Sequence, residues 1–218
     1  MCFSATASFT AGVSLSVLGL ATLKKAERKA EIPFAMIPLL FGVQQIIEGM
    51  LWLSFRFDAP LLNVIMTYAF TLFSHVLWPV FVPFSIGLVE KVAWRKKVIL
   101  AFQFIGIAVG LYLLYWVVRF PVTSEVDEHI VYVSPHYYRV PVMVFYLAAT
   151  CVGSFFSSHK IINIFGVLAL LLFMVAYWIH TVAFFSIWCF FAAILSAVIY
   201  LHFKLGKHST PDLMQSGA

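Results

Sequence analysis

Seven apolar runs, near residues 6–23, 33–54, 60–88, 97–118, 141–157, 161–179 and 182–203, leave little room for any fold but one. A helix that crosses a bilayer needs ~20 apolar residues, and each run is about that long or longer. The sixth and seventh merge into one stretch, 161–203, of 43 residues. That is too long for a single crossing. His180-Thr181 is its one polar break, so a tight turn is expected there. The expected fold is an all-α integral membrane protein, a seven-transmembrane helix bundle forming one domain over 1–205, with a polar tail at 206–218.

Composition agrees. Of 218 residues, 63% are hydrophobic and 11% charged, whereas soluble domains average about 45–50% apolar and about 25% charged. The 23 Phe, 6 Trp and 9 Tyr suit a bilayer core with interfacial aromatic belts. The net charge of +5 does not point to nucleic acid, because the basic residues fall between the apolar runs. The expected partner is the lipid bilayer. No charged region precedes the first run, and the first basic residue, Lys24, follows it, so no cleavable signal is expected. Cys2, Cys151 and Cys189 are too few and too scattered for a disulfide framework.

The basic residues also give a direction. Seven spans place Lys24, Lys25, Arg28, Lys29, Lys91, Arg95, Lys96, Lys97, Lys160, Lys204 and Lys207 on one side, and Arg56, Arg119 and Arg139 on the other. The positive-inside rule makes the first set cytoplasmic, with the N-terminus outside and the C-terminus inside. The longest loop, 119–141, then lies outside. It carries Glu125, Asp127 and Glu128, followed by the β-prone "IVYV". It reads either as a short hairpin or flap over the outer face or as an ordinary solvated loop. Small residues at four-residue spacing, Ser8, Gly12 and Ser16, then Gly106 and Gly110, permit close helix approach.

The chemistry must come from polar residues inside the spans. An ionisable side chain there costs ~2.5–3.5 kcal/mol on insertion scales and faces the bundle or a cavity. Glu48 is the carboxylate in the second span. Gln44, Gln45, Glu48 and Trp52 share one helix face, about 9 Å below the helix end near Ser54. The third span carries His75, with Tyr68, Thr71 and Trp78 on its face and Pro79 and Pro83 beyond. In an α-helical ladder Pro79 leaves the His75 carbonyl without its donor. His75 is ~22 Å along its helix from Pro60, deeper than Glu48. The last span follows His180 with Ser186, Trp188 and Cys189. Ser186, Cys189, Ala193 and Ser196 form a small, partly polar stripe that could border a cavity.

Cys2, Glu48, His75 and His180 make a plausible mixed ligand set for zinc or a related divalent transition metal. None of them share a helix at i, i+3 or i, i+4, the spacing that would make the assignment strong. Microbial rhodopsins are excluded, because no lysine precedes Lys204 in the last span. Seven-helix zinc hydrolases of the ceramidase type share the topology, but their late His-x-x-x-His is absent here, as is a His-Glu-x-x-His. The segments "MCFSATASFTAG", "QQIIEGMLW", "SHVLWPVFVPFS" and "FFSIWCFFAA" resemble a family of uncharacterised small bacterial membrane proteins that begin Met-Cys-Phe-Ser. That resemblance covers most of the chain and implies a multi-pass protein of the bacterial cytoplasmic membrane. It also implies that Cys2, Glu48, His75, Trp188 and Cys189 belong together, and it implies no activity.

Three functional readings follow. The first is a membrane-embedded metalloprotein, with an enzyme acting on a lipid or other hydrophobic substrate as its catalytic form. Glu48 would be ligand or general base, His75 and His180 ligands or acid–base groups. Gln44, Gln45, Trp52, Trp78, Ser186, Trp188 and Cys189 would line the binding site. The second is a proton-linked transporter using Glu48 and His75, in a chain without a visible internal repeat. The third is a receptor or binding module for a small apolar ligand, haem or quinone. A plain scaffold is the bland alternative. Interhelical hydrogen bonds in membranes average only ~0.6 kcal/mol, which is a weak reason to bury a glutamate beside two glutamines.

Overall fold

The computed structural model describes residues 4–126, 129–133, 140–179 and 183–205. All seven apolar runs are helical over these residues. Six helices are long and apolar enough to cross a membrane: Ala5–Leu23, Lys29–Arg56, Pro60–Val89, Ala93–Arg119, Lys160–Ile179 and Ser186–Leu205. The remaining run, Val140–Phe156, is a shorter apolar helix. The expected break near His180 falls outside the described residues, between a helix that ends at Ile179 and one that starts at Phe184.

Local chemistry sets several boundaries. Helix α1 (Ala5–Leu23) is capped by Ser4, whose hydroxyl accepts from the Ala7 N–H at 3.2 Å. Helix α2 (Ile32–Arg56) has Pro33 in its first turn, where no donor is lost. Asp58, at φ 46°, turns the chain sharply into α3 (Pro60–Thr71). A π-helical turn, Leu72–Leu77, joins α3 to α4 (Trp78–Val89). Helix α5 (Ala93–Arg119) is followed by two antiparallel strands, β1 (Thr123–Val126) and β2 (Ile130–Val133), in the register Thr123↔Val133 to Val126↔Ile130. Then come α6 (Val140–Thr150), a 3₁₀ turn (Val152–Phe156) and α7 (Lys160–Ile179). Helices α8 (Phe184–Leu195) and α9 (Ala197–Leu205) complete the last passage, broken at Ser196.

The small residues act as expected. A Cβ on Gly12 would meet the Gly42 carbonyl at 3.0 Å, and one on Gly42 would meet Ser16 Oγ at 2.6 Å, so α1 and α2 lie backbone to backbone. A Cβ on Gly106 would collide with the Pro79 carbonyl oxygen, and one on Gly110 would meet Val80 Cγ2 at 2.9 Å. Helix α5 thus lies directly on the proline turn of α4.

The polarity is that of a lipid-embedded bundle. Val13, Val17, Leu20, Phe104, Leu111 and Trp178 point outward. Gln44, Gln45, Glu48, His75 and Ser186 are buried. Large apolar side chains outside and amides and carboxyls inside suit a solvent that cannot satisfy polar groups. Within the loop 119–141, β1 and β2 pair as a hairpin, and two side chains of β2, Ile130 and Tyr132, pack in one cluster with Leu51, Phe70 and Cys189. Tyr132 stacks on Phe70 at 4.4 Å and 3°. Ser124 bonds Thr67 at 2.7 Å and Asn63 at 3.2 Å, which pins β1 to α3. Of the loop's two readings, the hairpin is the one the fold adopts.

Candidate functional site: a carboxylate and its donors in the bundle core

The face of α2 predicted to look inward does so. Gln44, Gln45 and Glu48 are each 0% exposed, and Trp52 is partly buried beneath the hairpin cluster. The Gln45 amide donates to Glu48 Oε2 at 3.3 Å, one helical turn away. Across the bundle, the Ser186 hydroxyl donates to Glu48 Oε1 at 2.5 Å. Gln44 Oε1 accepts from Trp78 Nε1 at 2.7 Å, and the Trp78 ring stacks on Phe41 at 3.9 Å. Cys189 lies one helical turn beyond Ser186 on α8 and faces the Gln44 side chain. One face of α2 is thereby tied to α4 and to α8 by hydrogen bonds among polar side chains.

His75 is buried in the π turn. Its Nδ1 pairs with Ser74 Oγ at 2.7 Å, and that hydroxyl also reaches the Thr71 carbonyl at 3.3 Å. Ser186 and Gln45 both donate to Glu48, so α8 supplies one group that meets the carboxyl across the bundle.

The ladder before Pro79 is not the α-helical one expected. Here the Trp78 N–H bonds the Phe73 carbonyl, five residues back. In that wider register the missing Pro79 N–H falls to the Ser74 carbonyl. That carbonyl accepts a hydrogen bond from the Tyr146 hydroxyl of α6. The proline's loss is therefore made good by a tyrosine on another helix. Tyr146 had no polar neighbours in sequence to announce this role.

Beside these groups lies a cavity of about 30 Å³, bordered by Phe41, Trp78, Tyr146, Cys151, Trp188 and Cys189 among others. The Trp188 N–H is used on the Ala169 carbonyl at 2.9 Å, so its ring forms a wall. The stripe expected on the last span is buried throughout, at Ser186, Cys189, Ala193 and Ser196. Cys189 borders the cavity, while Ser186 meets the carboxylate.

Two of the four expected metal ligands, Glu48 and His75, are buried in the core. Cys2 and His180 lie outside the described residues. Among the described residues, no group of three or more His, Cys, Asp or Glu is placed to hold a metal ion.

A second polar cluster, not anticipated from the sequence, closes the opposite end of α4. Glu90 accepts from the Ser158 N–H at 2.6 Å, the Val92 N–H at 2.8 Å, the Ser158 hydroxyl at 2.9 Å and the Ser157 hydroxyl at 3.3 Å. Burial alone would push its carboxyl up. The hydrogen bonds from Ser158 and Val92 and the nearby His159 outweigh burial and hold it below the usual carboxylate range. Arg95 donates to the Phe156 and Ser157 carbonyls at 3.2 and 2.9 Å, fixing the same turn.

Apolar helices of spanning length around a core of amides, hydroxyls, an imidazole and a carboxylate define a multi-pass membrane protein. The chain belongs to DUF6629, described as a family of unknown function, whose family model matches residues 1–215. No curated protein and no solved structure matches it significantly.

Proposed function

We propose that the protein handles protons within the membrane, with Glu48 as the proton-carrying group of a proton-linked transport process. The observation that carries this reading is the complete burial of Glu48 in a span, held by the Ser186 hydroxyl from α8 and the Gln45 amide. Ionisable groups kept at this depth mark ion pathways and relays. The adjoining cavity, about 30 Å³, is far smaller than the ~300–1,000 Å³ of pockets that take drug-sized ligands. A cavity of this size suits a proton or a water molecule better than a lipid, haem or quinone. His75, in a π turn that departs from the α-helical ladder, is the second acid–base group of this core.

In this reading Val140–Phe156 also crosses the bilayer, giving seven spans. The basic set from Lys24 to Lys207 is cytoplasmic, the hairpin lies on the outer face, and the membrane is the bacterial cytoplasmic one. The test is proton flux into vesicles of purified protein and neutral lipid, loaded with a pH-sensitive dye and given a pH step. Wild-type protein should conduct above empty vesicles and Glu48→Gln should not. Equal flux from the two proteins would overturn the proposal.

A second reading keeps the metal centre, because Glu48 and His75 are both buried in the core. Cys2 and His180 would complete its ligands, and zinc or a similar ion would be bound. Elemental analysis of purified protein tests it. Stoichiometric metal lost in both Glu48→Gln and His75→Ala supports a centre, and metal-free wild-type protein removes it.

A further inference from the structure

Resting on the proton-handling reading of Glu48, we propose that its proton exchanges with the Glu90 end of the bundle. The route is a buried file of side chains running through the cavity and along the turn from Thr150 to Ser157. The file begins at Cys189, which borders the cavity one helical turn beyond Ser186, the residue that donates to Glu48. Tyr146, Thr150 and Cys151 border the same cavity from the other side. At about 30 Å³ it exceeds the ~10–15 Å³ that one water needs. Its wall is largely apolar, so a water there would draw its partners from the Tyr146 and Thr150 hydroxyl oxygens at the cavity edge. Thr150 Oγ1 is 3.6 Å from Cys151 Sγ.

From there the chain turns through Val152–Phe156. Ser154 is fully buried, and its hydroxyl has no hydrogen-bond partner among the described residues. An unsatisfied buried hydroxyl is costly unless something completes it. A proton-carrying water at this point would do so. Ser157 follows, buried, with its hydroxyl 3.3 Å from Glu90 Oε2. Glu90 in turn meets exposed Ser158, where the file reaches the surface. The Asn163 amide nitrogen, turned toward this segment, donates to the Ser154, Ser157 and His159 carbonyls at 3.0, 3.0 and 3.2 Å, which holds the turn in place. The file thus links the two buried carboxylates. At each station one O–H or S–H bond forms as another breaks, so only a proton passes.

The test uses the same dye-loaded vesicles. Thr150→Val removes a hydroxyl at nearly constant volume, Ser154→Ala removes the next, and Ala192→Leu fills the cavity it borders. Each should lose flux toward the level of empty vesicles with its melting temperature retained. Thr150→Ser, which restores the hydroxyl, should recover the flux. If Glu48→Gln is silent while Thr150→Val and Ser154→Ala conduct like wild type, the route is wrong and the reading of Glu48 stands. If wild-type protein itself does not conduct, both fall.

Discussion

Gly106 is where the packing of the core can be tested most sharply. An alanine Cβ there would overlap the Pro79 carbonyl oxygen and sit 3.3 Å from Ala149 Cβ. Neither obstacle is the free end of a flexible chain, so α5 must move away from the turn that carries His75. Overpacking of this kind costs about 1–3 kcal/mol. Gly87, in α4, is the internal control. A Cβ there meets only Ile99 Cγ2, at an ordinary 3.5 Å, and glycine is worse than alanine in a helix by about 0.5–1 kcal/mol. The two substitutions have the same chemistry and opposite expected signs. Thermal unfolding of detergent-solubilised protein should show Gly106→Ala melting lower and Gly87→Ala equal or higher, with about 2–4 °C for each kcal/mol at this chain length. If both rise, or if both fall equally, the close approach of α5 to Pro79 is refuted.

Three further expectations follow from the same geometry. Tyr132→Ala removes the ring stacked on Phe70 and should free the hairpin, seen as faster cleavage of the 119–141 loop by an added protease, while an unchanged rate would mean that the hairpin is held elsewhere. Ser186→Ala should lower stability by about 1–3 kcal/mol, because it removes a donor to a buried carboxyl. In a double-mutant cycle with Glu48→Gln that loss should be non-additive, and strict additivity would deny the contact. Glu90 is held below the usual carboxylate range, so its contribution to stability is present above the ordinary unfolded value and is lost as pH falls through the lower folded one. Glu90→Gln should flatten the acid side of the stability profile, and an acid limb as steep as wild type would place the responsible group elsewhere.

The helices and the inward face of α2 were legible because a bilayer imposes length and polarity on every span. Nothing but burial can explain Gln44, Gln45 and Glu48 in one apolar run. That Ser186 donates to Glu48 was not legible, because a serine on a distant helix leaves no trace in spacing. The stripe that holds Ser186 borders the cavity at Cys189 and meets the carboxyl at Ser186. The His75 segment was read as α-helical, since local pattern does not reveal a shift from four to five residues in the ladder. With that shift the Ser74 carbonyl falls opposite Pro79 and accepts from Tyr146. The "IVYV" strand was visible as propensity, but its role as an apolar plug came from Ile130 and Tyr132 docking beside Cys189. The Glu90 cluster was missed because its donors are largely backbone N–H groups and serines in a turn far along the chain.

The central claim is that the Glu48 carboxyl carries the proton. A membrane-soluble carbodiimide, which couples to carboxyl groups away from water, tests it most directly when peptide mass spectrometry and proton flux are followed in the same vesicles. The adduct should form on Glu48, and flux should fall in proportion to its modification. Flux that persists with Glu48 fully modified would contradict the claim.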